Sequence, residues 1–199
     1  MAFEGYEEDE DQLLDPPYLD SARKIAQELC LRVGELTTAD LTQCFWALSN
    51  LGIHDESLLN TLTNRATELV NDMNAIESVN VLWSLGKLRV GRADLVLIIA
   101  KRLIRNANDL SPKQAASAMY ALGRLKIESE EIPDIFDQLS MSIIDQIDST
   151  SAHSIANILW SYRSVKLKPP QKLLNLWASE KLGVVTVQFQ QPPDISDLT

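Results

Sequence analysis

Through most of the chain apolar residues recur at intervals of three and four, in blocks separated by short polar turns. That is the period of helices with one buried face. From Leu19 to Val33 the face is Ala22, Ile25, Ala26, Leu29 and Val33, and Gly34 follows at the expected C-terminal cap. A second kind of block is centred on an aromatic residue: Phe45-Trp46-Ala47-Leu48-Ser49-Asn50-Leu51. It returns as Leu82-Trp83-Ser84-Leu85-Gly86-Lys87-Leu88, as Met119-Tyr120-Ala121-Leu122-Gly123-Arg124-Leu125, and as Leu159-Trp160-Ser161-Tyr162-Arg163-Ser164-Val165. The anchors Trp46, Trp83, Tyr120 and Trp160 are spaced by 37, 37 and 40 residues. A fixed period of this size marks a solenoid.

Capping chemistry recurs in the same register. Nine residues before each anchor stand Thr37, Asn74, Ser111 and Ser151, all favoured helix N-caps. Asn74/Glu77 and Ser111/Gln114 approximate capping boxes, and Pro112 suits a first helical position. Each unit therefore starts with a helix A that buries Phe45, Leu82, Met119 and Leu159 in one column and Leu51, Leu88, Leu125 and Val165 in another. A helix B follows at about 55–71, 93–107, 130–147 and 170–182. The expected fold is all-α: an α-solenoid of antiparallel helix pairs with a period of about 37–40 residues. Residues 1–18 form an acidic tail, 19–183 the array (half a repeat and four helix pairs), and 184–199 a C-terminal tail. In that last tail Val185, Val187 and Phe189 alternate with polar residues, a short strand pattern that either caps the last repeat or adds to another protein's sheet.

The net charge of −10 changes this picture little. Seven acids lie within the first fifteen residues, and the body carries all 18 Lys and Arg against 19 acids. Cys30 and Cys44 fall in apolar helical stretches and read as small hydrophobes. The longest apolar run, Leu95 to Ala100, is too short to span a bilayer. An acidic N-terminus resembles neither a signal nor a transit peptide, so the chain is expected to be cytosolic or to be a mature form.

Catalytic chemistry is not expected. His54 and His153 have no Cys or carboxylate at metal-ligand spacing and read as exposed. The seven glycines are scattered and read mostly as helix ends, so there is no phosphate loop. Glu130, Glu131, Asp134 and Asp137 fit a helix start, where they favour the macrodipole. No cofactor, metal or small-molecule substrate is implied.

Two columns carry binding chemistry. Gln43, Asn80, Ser117 and Asn157 lie three residues before each anchor and form a ladder of donors and acceptors. Such a ladder suits base edges or the main chain of an extended peptide, or else bonds only neighbouring helices. The second column is basic: Lys87 and Arg124 four residues after their anchors, Arg89, Lys126 and Lys166 six after, with Arg92, Arg163 and Lys168 nearby. This rim suits phosphates; equally, bases at helix C-termini complement the dipole. The aromatic anchors are expected in the core, leaving the rim without aromatic interleaving.

The run Leu41 to Gly52 and its echo Ser78 to Gly86 resemble the first helix of octotricopeptide repeats, and equally the repeats that precede RAP domains and those of FAST-kinase-like proteins. The resemblance covers roughly 19–183. It implies organellar RNA binding, in chloroplasts or mitochondria, for RNA processing, stability or translation. The array departs from the family in lacking a following RAP domain, and the proline-rich turn is seen only at Pro169-Pro170 and Pro16-Pro17. Two functions follow. One is a module for single-stranded RNA. The other is a scaffold subunit that docks other proteins in a large organellar assembly, such as a ribosome or photosynthetic complex.

Overall fold

The computed structural model describes residues 16–178, except 106, 147 and 148. Every regular element among them is helical: α1 (Pro16–Leu31), α2 (Thr38–Leu51), α3 (Glu56–Leu69), α4 (Ala75–Leu88), α5 (Ala93–Arg105), α6 (Pro112–Leu125), α7 (Ile132–Ile144), α8 (Ala152–Ser164) and α9 (Gln171–Ala178). Even-numbered helices are the A helices and odd-numbered ones the B helices. Each A helix packs on its neighbouring A helices, and α2, α4 and α6 also pack on the B helix that follows, which makes two layers of an α-solenoid. The acidic residues 1–15 and the strand pattern at 184–190 lie outside the described residues.

The A helices start as their sequences dictate. Thr37/Asp40, Asn74/Glu77 and Ser111/Gln114 are complete capping boxes, and the Ser151 hydroxyl accepts from the Ser154 N–H. Each cap satisfies helix N–H groups that would otherwise lack a partner, worth about 1 kcal/mol. At the other end Gly52, Arg89, Lys126 and Lys166 adopt φ of 65°, 55°, 49° and 59°. Three of the four repeats thus place a basic residue in the left-handed conformation that glycine adopts freely. The expected cap at Gly34 is different: α1 ends at Leu31, and Gly34 sits inside a 3-10 turn, Val33–Glu35.

The core lies between the layers. Phe45, Leu82 and Met119 are fully buried, as are Leu62, Ile99 and Phe136 from the B helices. Leu51 departs from expectation. It is 50% exposed, whereas its counterpart Leu88 is 3% exposed. Leu125 and Val165, in the same expected column, are only partly buried. Ile25 is likewise open, at 61% exposure, while its counterparts Leu62 and Ile99 are fully buried.

Two glycines do not end helices. Gly86 and Gly123 lie inside α4 and α6, fully buried, three residues after their anchors. A Cβ on Gly86 would stand 2.9 Å from the Ala121 Cα, and one on Gly123 would stand 3.0 Å from a Trp160 ring carbon. With Ser49, they form a small-residue column that lets the A helices approach closely. The B helices, spaced by Leu, Ile and Phe, touch more sparsely. Closer spacing in one layer bends the stack toward it, so the outer surface of the A helices is the inner wall of the curve.

A repeated clasp joins the layers. The Arg65 guanidinium donates to the Leu36 carbonyl at 3.1 Å. Arg102 donates twice to the Met73 carbonyl, at 3.1 and 2.8 Å. Gln146 donates to the Leu110 carbonyl at 3.0 Å. Each acceptor immediately precedes an A-helix N-cap, so a side chain on α3, on α5 or just past the end of α7 reaches back to the start of the A helix of its own repeat.

Candidate nucleic-acid interface

The A-helix surface is built from positions that share one helical face. In α2 these are Ala39, Gln43, Trp46 and Asn50; in α4, Ile76, Asn80, Trp83 and Lys87. In α6 they are Lys113, Ser117, Tyr120 and Arg124; in α8, His153, Asn157, Trp160 and Ser164. The anchors are therefore not core residues. Trp46 is 54% exposed and Trp160 41%, while Trp83 and Tyr120 are half-buried. The core is filled instead by the residue two after each anchor and, in the first three repeats, by the one before it; Leu159, before Trp160, is only partly buried. A single-residue difference in phase moves a helical side chain by about 100°, enough to exchange core for surface.

With the rings on the surface, aromatic and basic groups interleave. Lys87 Nζ lies 5.3 Å from the Trp83 ring centroid and donates to Asn50 Oδ1 at 3.1 Å. The Arg124 guanidinium lies 6.0 Å from the Tyr120 ring and donates through Nε to the Gly86 carbonyl at 3.2 Å. Tyr120 in turn packs against Trp160, with centroids 4.8 Å apart and the planes tilted by 42°. Each cation bridges back to the preceding A helix, so the rungs form one continuous surface.

The candidate residues divide into three groups. Gln43, Asn80, Ser117 and Asn157 share the surface with the rings, with Lys87 and Arg124 beside them. Gln43 and Asn80 line a cleft with Thr42 and Trp46. The Asn157 amide contacts His153 Nε2 at 3.1 Å. Arg89 and Lys126, at left-handed C-caps, and Lys166, left-handed one residue past the α8 C-cap, form a separate row, and Arg163 is exposed on α8. Arg92 is apart from both. It faces α3, where it contacts Asn64 at 3.1 Å and Thr63 at 3.3 Å, and pairs with Asp94 at 3.1 Å. That pairing, with the Leu95 N–H, holds the Asp94 carboxyl below its usual range.

Lys113 belongs to the surface and was not singled out by the columns read from the sequence. It lies seven residues before its anchor, two helical turns away, on the same face.

Charge is segregated although the body is nearly neutral. The only acids in α2, α4, α6 and α8 are Asp40 and Glu77. Both are held in capping boxes, and the Thr37 hydroxyl and N–H keep the Asp40 carboxyl low. The A helices otherwise carry Lys87, Lys113, Arg124 and Arg163. Several bases of the B layer are engaged within the fold, as in the Arg65 and Arg102 clasps and the Lys101–Glu131 pair.

Other chemistry is sparse among the described residues. No group of His, Cys, Asp and Glu there is arranged to hold a metal ion. No helix there is long and apolar enough to cross a membrane. Cys44 is half-buried, and burial, with the nearby Asp40 charge, raises its thiol pKa.

No curated protein matches the chain. The model of one family does, that of the RNA-editing substrate-binding complex 6 protein, over residues 20–197. The described residues of that span form an all-helical array, and the chain belongs to the RNA-editing substrate-binding complex 6 protein family.

Proposed function

We propose that the chain is a non-catalytic subunit of an RNA-editing complex that holds single-stranded RNA along its A-helix surface. The observation that carries this reading is the exposure of Trp46 and Trp160 on a face where Lys87 and Arg124 lie over neighbouring rings. Rings supply sequence-tolerant stacking platforms and cations meet phosphates, the two parts of a single-strand site. The row Arg89, Lys126 and Lys166 continues the positive charge along the rim. The octotricopeptide-like arrangement, one rung per base, gives on the order of four bases for four rungs. So short a reading suits a subunit whose other contacts are proteins. Of the two organelles implied by the sequence resemblance, RNA editing favours the mitochondrion, and a fluorescent fusion of the full-length protein tests this.

Fluorescence anisotropy with a labelled eight-nucleotide RNA, titrated from 50 to 200 mM salt, tests binding. Lys87→Ala with Arg124→Ala is expected to weaken binding and make the salt slope shallower. Undetectable binding at low salt, or an unchanged slope in the double variant, overturns the reading.

A second reading, protein docking without RNA reading, is favoured by the N-terminal end of the array. Ile25, Leu31 and Leu51 are 61%, 81% and 50% exposed, and terminal repeats ordinarily present a polar outer face. Purification of the full-length native protein as a partnerless monomer would count against it.

A further inference from the structure

The cleft between α2 and α4 differs from the rungs that follow. It is lined by Thr42, Gln43, Trp46 and Asn80 and has a volume of about 260 Å³. That is small for a drug-sized ligand and suits one flat heterocycle. In α4 and α6 the ring carries its own cation, but the equivalent residue of α2 is Asn50, which is neutral. Trp46 is the most exposed of the large aromatic side chains on this face, at 54%. The amides differ too. Asn157 is engaged by His153, and the third rung offers only the Ser117 hydroxyl. Gln43 and Asn80 are exposed, come from neighbouring helices, and line the cleft together.

We infer that this cleft is a single-nucleobase site selective for adenine within an RNA strand; the inference rests on the RNA-binding reading above. Each amide presents one donor and one acceptor side by side. Two amides flanking one ring are best matched by a base with a donor–acceptor pair on both of its edges. Adenine has N6–H beside N7 on one edge and N6–H beside N1 on the other. Guanine presents two acceptors, O6 and N7, on the corresponding edge, which leaves an amide carbonyl facing an acceptor. Pyrimidines lack the second nitrogen edge. The Trp46 face supplies stacking, and Lys87, held 3.1 Å from Asn50 at the neighbouring turn, stands where the strand's phosphate would pass.

The test uses the full chain and labelled octamers of A, U and C at one low salt concentration. The wild-type protein should bind the A octamer about tenfold or more tightly than the others. Gln43→Ala with Asn80→Ala should abolish that preference, the A octamer losing more affinity than the C octamer. Asn157→Ala should keep it. Trp46→Ala should weaken all three, by roughly tenfold, with the circular dichroism spectrum unchanged. Equal binding of the octamers, or a preference that survives the double variant, overturns the adenine site while RNA binding stands. AMP binding as tightly as the A octamer overturns an RNA strand as the ligand. Failure of every octamer to bind overturns this inference together with the RNA-binding reading.

Discussion

Gly86→Ala tests whether close approach of the A helices sets the geometry of this array. Helix propensity alone favours the change by about 1 kcal/mol, because Gly86 lies in the interior of α4. Packing opposes it. The new methyl would stand 2.9 Å from the Ala121 Cα, 3.1 Å from its Cβ and 3.2 Å from its carbonyl oxygen. None of these atoms belongs to a side chain that can rotate away, so α4 and α6 must part by roughly 0.5 Å to restore ordinary contact. Overpacking of this kind costs about 3 kcal/mol at its upper end. The net expectation is a loss of about 2 kcal/mol, or roughly 4–8 °C in Tm for a chain of this size. Urea denaturation and thermal melting followed by circular dichroism measure it. Gly34→Ala is the control: nothing lies within 4 Å of its Cβ position, and the change is expected within about 0.5 kcal/mol. Gly123→Ala should also destabilise, since its Cβ would meet the Ser161 Cα at 3.1 Å as well as a Trp160 ring carbon at 3.0 Å, and it should alter the tryptophan fluorescence. If Gly86→Ala is as stable as the wild type or more so, the close approach is not a determinant of the fold and the argument for curvature toward the A layer fails.

Three further outcomes follow from particular contacts. Tyr162 is buried, with its hydroxyl 2.6 Å from Ser140 Oγ, and burial pushes its pKa from 10.0 up to about 12. The folded state therefore holds the proton more tightly than the unfolded one: stability is unaffected below about pH 10 and falls between pH 10 and about 12. Tyr162→Phe should lower stability at neutral pH by about 1 kcal/mol through the unpaired Ser140, and should flatten the alkaline slope in urea titrations at pH 9 to 11. Arg89→Gly, Lys126→Gly and Lys166→Gly should each raise stability by about 1 kcal/mol by relieving the left-handed backbone, as read by the urea midpoint. Stabilisation accompanied by weaker RNA binding would mean that the basic side chains are kept for the ligand. Arg102→Ala should cost about 2 kcal/mol, because it removes both donors to the Met73 carbonyl, while Arg105→Ala, on the exposed side of the same helix, should stay within about 0.5 kcal/mol.

The sequence by itself determined the architecture. Helix starts were legible because capping is local: Thr37, Asn74, Ser111 and Ser151 each meet a group three residues away, at a spacing the chain carries in its own order. The alternation of A and B helices was legible because a core stripe must recur at helical period. The roles of the aromatic residues and glycines were not. Trp46 and Phe45 are neighbours of similar hydrophobicity, and only the packing of one helix on the next decides which is buried. Gly86 and Gly123 look like helix ends in one dimension, since the backbone that requires them belongs to the following repeat, at Ala121 and Ser161. Charge behaves likewise. Nearly equal numbers of acids and bases say nothing about surfaces until the fold consigns Asp40 and Glu77 to caps and Arg65 and Arg102 to carbonyls. The tertiary structure alone decided that rings, amides and cations share one face, because that face is assembled from residues 37 to 40 apart whose side chains meet only when the repeats stack.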